Sequence, residues 1–287
     1  MNIDQLKEYI RFYTLNKCPQ GNQGFNRVLL QLFGYLGHGK SSLINSCKYV
    51  LQDRDTEFTM IAQSGAADGG LTMERKSYQL TQTITMVDNR GCSTLNGYET
   101  GEIYAQLGNF IPLDQKVEWT KEFEEMMNRL EGSDVEPTFT DIIVPIFVYS
   151  VKKDLTDAET QEIKTFLTNC RNITGIFPII VLTNKTSGNF SKFRDLFEGM
   201  GAEEIFAVEN FTEEDHFETR GRHLQFLNMM YKVLEDVNFK MQKKIDPKRE
   251  RAKHKIFLLT FLHKRDQQKN VKENSVLNFK QVRVGNY

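Results

Sequence analysis

Residues 26–41 read NRVLLQLFGYLGHGKS, in which an apolar run leads into a glycine-rich loop. The run at 26–33 predicts a buried strand, and the apolar spacing from residue 42 to about 51 predicts a helix. Between them, the loop at 34–41 matches every fixed position of the phosphate-binding motif G-x-x-x-x-G-K-S. A strand that feeds such a loop into a helix N-terminus presents successive backbone N–H groups to a polyphosphate. The stretch therefore predicts an α/β fold that binds a nucleoside di- or triphosphate.

Each part of this loop has a predicted role. Lys40 is expected between the outer phosphates, and the hydroxyl of Ser41 is expected to ligate Mg²⁺. The glycines are needed because a side chain at these turns would keep the backbone away from the phosphate. The predicted phosphate-binding residues are Gly34, Gly37, His38, Gly39, Lys40, Ser41 and Ser42.

A second motif, Asp88-x-x-Gly91, follows the strand predicted at 82–87. Asp88 can hold Mg²⁺ through water, and the Gly91 N–H can meet a γ-phosphate. Such a motif is common by chance, but here it comes at the tip of an apolar run and after Lys40, as a P-loop GTPase requires. The predicted metal site therefore consists of Ser41 and Asp88.

A third segment, TNKTS at 183–187, follows the strand predicted at 177–182. GTPases place N/T-K-x-D here, and the aspartate accepts hydrogen bonds from N1–H and the amine of guanine. Asn184 and Lys185 fit this pattern, whereas Ser187 stands where the aspartate belongs. A serine lacks the charged bidentate acceptor, so guanine selectivity should weaken unless another group substitutes. The alternative is that Asn-Lys is ordinary turn chemistry.

A fourth segment, Val208-Glu209-Asn210-Phe211, follows the last predicted strand. Its backbone N–H groups would meet the guanine carbonyl, and Asn210 or Phe211 would form a wall for the base. Together the four segments fall where a P-loop GTPase needs them.

The residues around the predicted γ-phosphate argue against fast hydrolysis. Leu36 is bulky near the expected position of the attacking water, and Cys92 is a poor group for orienting that water. The catalytic candidates are His38 and Thr72, the latter in the stretch SGAADGGLT (64–72), which is expected to be mobile. We expect slow hydrolysis, or hydrolysis that depends on a homodimer or another protein partner. A non-hydrolysing pseudo-GTPase interaction module and an ATP-binding P-loop NTPase are the alternatives.

From about residue 26 to 240, the chain resembles the interferon-induced protein 44 family, vertebrate cytosolic proteins with a GTPase-like P-loop domain. The resemblance rests on the D-x-x-G motif and on VLLQLFGYLGHGKSSLINS, YAQLGNFIP, IIVLTNK and IFAVENFTEED…LQFLNMMYKVLEDV. It covers roughly three quarters of the chain and ends before the basic segment that follows Lys243. The resemblance implies a GTP-binding-like fold, a cytoplasmic location and involvement in antiviral or antiproliferative responses.

Length and composition agree with a globular protein. A chain of 287 residues with 39% hydrophobic content can form one large α/β domain with appendages. No apolar stretch approaches the ~20 residues that cross a bilayer. The N-terminus lacks the layout of a signal peptide, so we expect a cytoplasmic protein. The cysteines show no metal-ligand spacing and are expected to be reduced: Cys18, Cys47, Cys92 and Cys170.

Charge is distributed unevenly along the chain. Residues 241–287 carry 13 Lys or Arg and 4 Asp or Glu, although the formal net charge of the whole chain is −1. This basic segment is expected either to contact an anionic partner or membrane surface as a short amphipathic helix, or to pack as the last core helix. No aromatic-platform motif for nucleic acid accompanies it.

The alternation of strand and helix patterns predicts a doubly wound, mostly parallel sheet flanked by helices. We divide the chain into an N-terminal helix and linker (1–24), a GTPase-like domain (25–243) with a helical insertion at about 92–140, and a basic C-terminal extension (244–287). Strands are predicted at 26–33, 75–80, 82–87, 142–150, 177–182 and 203–208, and helices at 3–14, 42–51, 99–107, 117–130, 157–170, 189–199 and 217–242.

Overall fold

The computed structural model describes residues 1–53, 56–63, 74–95, 97–117, 119–120, 122–133 and 140–284. Within these residues, the strands are β1 (Arg27–Phe33), β2 (Glu74–Gln79), β3 (Ile84–Asp88), β4 (Gln115–Lys116), β5 (Asp141–Ser150), β6 (Ile179–Thr183) and β7 (Ile205–Ala207). The helices are α1 (Ile3–Arg11), α2 (Lys40–Leu51), α3 (Gly97–Leu107), α4 (Phe123–Glu131), α5 (Asp157–Thr174), α6 (Phe190–Gly199), α7 (Arg220–Lys240) and α8 (Pro247–Val284). Apart from β4, which was not predicted, the strands and helices follow one another in the predicted order.

The strands form one sheet in the order β4-β2-β3-β1-β5-β6-β7. Strands β3, β1, β5, β6 and β7 run parallel to one another, and β2 and β4 are antiparallel to their neighbours. The central strands are buried on both faces, which explains their nearly continuous apolar sequences. Strand β2, with the sequence ERKSYQ, has exposed positions and lies towards the edge of the sheet. The prediction of a doubly wound, mostly parallel sheet is confirmed.

Helices cover both faces of this sheet and form two hydrophobic cores. Helices α1, α2 and α7 pack on one face, and α3, α4, α5, α6 and α8 contribute to the core on the other. Along β5, Val144 and Val148 face the first core, whereas Ile143 and Phe147 face the second. This alternation is the two-residue period of a strand. Each fully buried side chain of this size stabilises the fold by roughly 1.5–3 kcal/mol.

The region between β3 and β5 departs from the prediction at one point. A helix was expected from residue 117, but α4 begins at Phe123 and a short strand, β4, precedes it. Asp114 accounts for this strand, because its carboxylate accepts hydrogen bonds from the backbone N–H and the hydroxyl of Ser77 in β2. The carbonyl of Val117, which precedes α4, accepts a hydrogen bond from the side chain of Arg90 across 2.9 Å.

The basic segment forms α8, whose first half packs against the body of the protein. Leu258 and Leu262 are buried in the second core. Arg251 donates to the carbonyl of Asn109 across 3.1 Å, beyond the end of α3, and its guanidinium lies over the ring of Phe110. This geometry agrees with the interpretation of a last core-packing helix. None of the helices in the described part of the chain is both long enough and apolar enough to cross a membrane.

Candidate functional site

The predicted nucleotide-binding segments meet at the carboxyl edge of the parallel strands. Strand β1 lies between β3 and β5, so after β1 the chain forms β2 and β3 on one side of it and then crosses to β5 on the other. Crevices for ligands form at such switch points in open α/β sheets. Two contacts join the loops: the Thr183 hydroxyl donates to the carbonyl of His38 across 2.9 Å, and the Asn210 amide donates to the carbonyl of Gly39 across 3.2 Å.

Glycines shape the loop between β1 and α2. Gly34, Gly37 and Gly39 have φ values of 136°, 72° and 88°, which L side chains rarely adopt. A Cβ atom at Gly34 would lie 2.2 Å from the carbonyl oxygen of Val148, so only glycine fits there. Gly39 is the N-cap of α2 and provides no side-chain hydrogen bond. The first-turn N–H groups of α2 therefore lack a side-chain cap, as an anion site at a helix N-terminus requires.

The side chain of Lys40 lies across this loop. It is only 6% exposed, and its ammonium group donates to the carbonyls of Gly34 and Tyr35 across 3.2 and 3.0 Å. Burial lowers the pKa of Lys40, and the nearby carboxylate of Asp88 opposes this shift. An ammonium group has three donors, so a third remains for a phosphate oxygen. These two hydrogen bonds hold the ammonium group of Lys40 against the loop.

The predicted metal ligands lie next to each other. The hydroxyl of Ser41 donates to Oδ2 of Asp88 across 2.5 Å, and the Asp88 side chain is almost fully buried. Its other oxygen, Oδ1, has no hydrogen-bond partner within the described residues. Burial raises the pKa of Asp88, and Lys40 and Ser41 oppose the shift.

An unsatisfied buried carboxylate oxygen beside a serine hydroxyl is the oxygen donor set that Mg²⁺ accepts. The parts of the chain that the structure describes contain no cluster of three His, Cys, Asp or Glu side chains that could hold a metal ion. A P-loop site does not need such a cluster, because phosphate oxygens and water complete the coordination. Ser41 and Asp88 therefore fit the predicted metal.

The loop that follows Asp88 is joined to the phosphate loop. The Leu36 N–H donates to the carbonyl of Cys92 across 3.1 Å, and the Cys92 N–H donates to the carbonyl of Gly34 across 3.4 Å. A Cβ atom on Gly91 would lie 2.8 Å from both Lys40 Nζ and Leu36 Cδ2. Gly91 thus lies next to Lys40, at the position where the motif predicts a γ-phosphate. The Cys92 side chain is buried in the second core, and burial raises the pKa of its thiol to about 12.

The structure argues against the predicted catalytic role of His38. Its side chain is 1% exposed and lies edge-on to the ring of Tyr149, and Nδ1 accepts the backbone N–H of Ser150 across 3.1 Å. Burial, reinforced by Lys153 and Lys40, lowers the pKa of His38 to about 3. The imidazole is neutral and packed in the fold, so only the backbone of His38 lines the loop. Thr72, the other catalytic candidate, lies outside the described residues, as does the stretch 64–72.

In the segment predicted to bind the base, Asn184 joins the turn after β6 to the ends of β5 and β6. It has a φ of 56°, and its amide donates to the hydroxyl of Ser150 across 2.9 Å and to that of Thr183 across 3.3 Å. Lys185 and Ser187 follow in an exposed 3₁₀ turn. The asparagine therefore fixes this turn, and Lys185 and Ser187 are exposed to solvent.

The segment after β7 fits the prediction only in part. Asn210 lies against the phosphate loop, but Phe211 is fully buried against Tyr49 and Phe226, so it cannot form a wall for the base. The N–H of Phe211 donates to the Ser46 hydroxyl in α2 across 2.9 Å. Phe211 thus anchors the loop to the core.

Sequence reasoning missed a buried polar network behind Asp88. Arg75 in β2 donates to the side chains of Asn89 and Gln31 and to the carbonyl of Ile111. Asn89 in turn donates to Gln31 across 3.1 Å. The signal available in the sequence was a glutamine within the apolar strand RVLLQLF, because a buried polar side chain requires a partner.

Two further residues were missed. Glu209 accepts hydrogen bonds from the N–H and the hydroxyl of Thr186. Arg222 in α7 donates to the carbonyls of Glu209 and Asn210. No feature of the sequence pairs these residues, since they come from separate elements.

Comparison with known proteins adds little to this geometry. No protein-family model matches the sequence, and no curated protein matches it significantly. Among solved structures, a crystal structure of a mutation variant of SsGBP matches with a TM-score of 0.35 and 17% sequence identity. That match covers 72% of this chain and 57% of the other, so the chain spans little more than half the length of that protein.

Proposed function

We propose that this protein binds a guanine nucleotide, GTP or GDP, together with Mg²⁺. One arrangement carries the proposal: Lys40 held across the glycine loop, with Ser41 and Asp88 paired beside the uncapped start of α2. Backbone N–H groups and Lys40 would bind the phosphates, and Ser41 and Asp88 would hold the metal. Bound Mg²⁺ would neutralise charge on the β- and γ-phosphates.

We propose further that hydrolysis is slow or depends on a partner. Leu36 lies against Gly91, the Cys92 side chain faces the core, and His38 is buried and neutral. None of the three offers a fixed acceptor to a water beside the γ-phosphate. A homodimer or another protein could supply the missing group in trans, as an arginine finger does. The same observations support a non-hydrolysing pseudo-GTPase that serves as an interaction module.

The cellular role that we propose rests on the sequence resemblance alone. A protein of the interferon-induced 44-like type would act in the cytoplasm and take part in an immune response. The exposed lysine and arginine side chains of α8 would be available to an anionic surface or a protein partner.

The deciding experiment measures dissociation constants for GTP, GDP and ATP with and without Mg²⁺, by titration calorimetry on the full chain. We expect guanine nucleotides to bind, and GTP to bind more tightly when Mg²⁺ is present. Tighter binding of ATP than of GTP would favour the ATP-binding alternative, which the serine at position 187 left open. If none of the three nucleotides binds, the proposal is wrong.

Single-turnover hydrolysis at increasing protein concentration separates the remaining alternatives. A rate that rises steeply with concentration indicates a homodimer that completes the site. A rate that stays at zero while GTP binds indicates a pseudo-GTPase.

A further inference from the structure

The turn after β6 lacks the carboxylate that would accept hydrogen bonds from guanine. Ser187 occupies that position in the sequence, and its backbone N–H donates to the carbonyl of Asn184 across 2.9 Å. A hydroxyl carries no charge and cannot accept two guanine donors as a carboxylate does. The proposed site therefore needs an acceptor from another part of the chain.

The neighbouring loop brings a carboxylate to this turn. Strands β6 and β7 are parallel, with Leu182 paired to Ala207, so the turns that follow them emerge side by side. Oε2 of Glu209 accepts the backbone N–H of Thr186 across 3.0 Å and the Thr186 hydroxyl across 2.9 Å. Thr186 directly precedes Ser187. The carboxylate of Glu209 thus lies beside the position from which the aspartate is missing.

Arg222 holds the backbone of this loop in one orientation. Its guanidinium donates to the carbonyl of Glu209 across 3.0 Å and to that of Asn210 across 2.5 Å. In a planar trans peptide, a carbonyl and the N–H of the next residue point in opposite directions. The N–H of Asn210 therefore points away from Arg222, as does that of Phe211, which donates to Ser46 on the opposite side. The loop combines a carboxylate acceptor at Glu209 with a backbone donor at Asn210 that does not face Arg222.

This combination matches guanine and opposes adenine. Guanine offers a carbonyl acceptor at C6 followed by donors at N1 and at the 2-amino group. Adenine offers a donor at C6 and an acceptor at N1, which would face the carboxylate without a hydrogen bond. A site that is built to pair with a polar edge discriminates strongly, because a mismatched ligand leaves its buried groups unpaired.

We propose that the carboxylate of Glu209 reads N1–H and the 2-amino group of guanine, in place of the aspartate that Ser187 replaces. This inference rests on the proposed function. The Thr186 hydrogen bonds hold Oε2 of this carboxylate, and Oε1 would accept from the base. Guanine selectivity is then stronger than the serine at position 187 alone would predict.

The first test uses the unmodified protein and compares GTP with ITP, which lacks the 2-amino group. We expect GTP to bind roughly tenfold or more tightly than ITP, because a charge-assisted hydrogen bond is lost. Equal affinities would overturn the inference while leaving the proposed function intact. Absence of GTP binding would instead overturn the proposed function.

The second test uses Glu209→Gln and compares GTP with XTP, which carries a carbonyl in place of the 2-amino group. The glutamine amide can donate to that carbonyl and can still accept the Thr186 N–H. We expect the ratio of GTP to XTP affinity to fall roughly 100-fold or more, because the single substitution weakens the binding of GTP and strengthens the binding of XTP. If Glu209 only stabilises the turn through Thr186, this ratio will not change.

Glu214→Gln is the matched control, because this exposed glutamate lies on the same loop and the change removes the same charge. We expect its GTP to XTP ratio to equal that of the unmodified protein. A shift as large as that of Glu209→Gln would indicate a general effect of charge and would overturn the inference. Thermal unfolding of each variant checks that it folds. If Glu209→Gln does not fold, the comparison of GTP with ITP on the unmodified protein still tests the inference.

Discussion

Leu36 and Cys92 are joined through their backbones: the N–H of Leu36 donates to the carbonyl of Cys92 across 3.1 Å. This hydrogen bond closes the loop that contains Gly91 over the phosphate loop. The Leu36 side chain then lies so near that a Cβ atom on Gly91 would be 2.8 Å from it. If a γ-phosphate reaches both Lys40 and the Gly91 N–H, as the motif predicts, we expect it to meet the Leu36 side chain. We therefore expect the closed loop to favour a diphosphate over a triphosphate.

We predict that Leu36→Gly favours triphosphate over diphosphate. Removal of the side chain opens space beside Gly91 and leaves the backbone hydrogen bond in place. The ratio of affinities for a non-hydrolysable GTP analogue and for GDP should rise about tenfold, which corresponds to about 1.4 kcal/mol. Leu36→Ala should give an intermediate ratio. An unchanged ratio in both variants would mean that Leu36 does not limit access to the γ-phosphate position.

Lys40→Met should separate nucleotide binding from stability. Burial lowers the pKa of the Lys40 ammonium group, so its charge is costly in the folded protein. We expect the variant to unfold at the same or a higher urea concentration, but to bind GTP at least 100-fold more weakly, a loss of about 3 kcal/mol. Lys48→Met, in the last turn of the same helix, is the control and should bind GTP normally. Normal GTP binding by Lys40→Met would show that the loop does not bind phosphate.

His254→Leu should reduce the pH dependence of stability. Burial, with a contribution from Lys240, lowers the pKa of His254 from 6.5 to about 4. The unfolded chain therefore binds a proton more readily, and the stability that the neutral imidazole contributes is present above pH 6.5 and lost as the pH falls towards 4. Between pH 7.5 and 5, the unmodified protein should lose about 2 kcal/mol more than His254→Leu in urea unfolding.

His263→Leu is the control for this comparison, because His263 is an exposed histidine on the same helix. Its pH dependence should match that of the unmodified protein. Parallel curves for the unmodified protein and His254→Leu would show that His254 is accessible to protons in the folded state.

Arg75→Met should destabilise the fold and weaken nucleotide binding together. The guanidinium is fully buried and donates to Asn89, the residue after Asp88. Methionine would leave the acceptors of Asn89 and Ile111 without this donor, at a cost of about 1–3 kcal/mol for each buried unsatisfied group. We expect an earlier urea midpoint and a several-fold loss of Mg²⁺-dependent GTP affinity. Lys76→Met, an exposed neighbour in β2, should change neither. If Arg75→Met is destabilised but binds GTP as tightly as the unmodified protein, the network contributes to stability and not to nucleotide binding.

Cys92 shows why the sequence could not predict the whole site. Its position after D-x-x-G indicates a side chain near the γ-phosphate, and a glutamine there would be expected to orient water. The structure instead buries the thiol in the second core, so a glutamine at this position would enter that core. The direction of a side chain in such a loop depends on what packs behind it. For His38 and Phe211 the same reason applies, because both are core side chains within functional loops.

The sequence by itself determined the succession of strands and helices along the chain, except at β4, together with the mostly parallel sheet and the placing of Lys40, Ser41 and Asp88 at strand ends. Apolar periodicity and glycine placement are local, so a short stretch such as 26–41 specifies its own strand, loop and helix. Only the tertiary structure decided that Glu209 meets Thr186, and that Arg251 in α8 meets the end of α3. These contacts join residues distant in the chain, and they depend on strand order and helix packing, which no local pattern encodes.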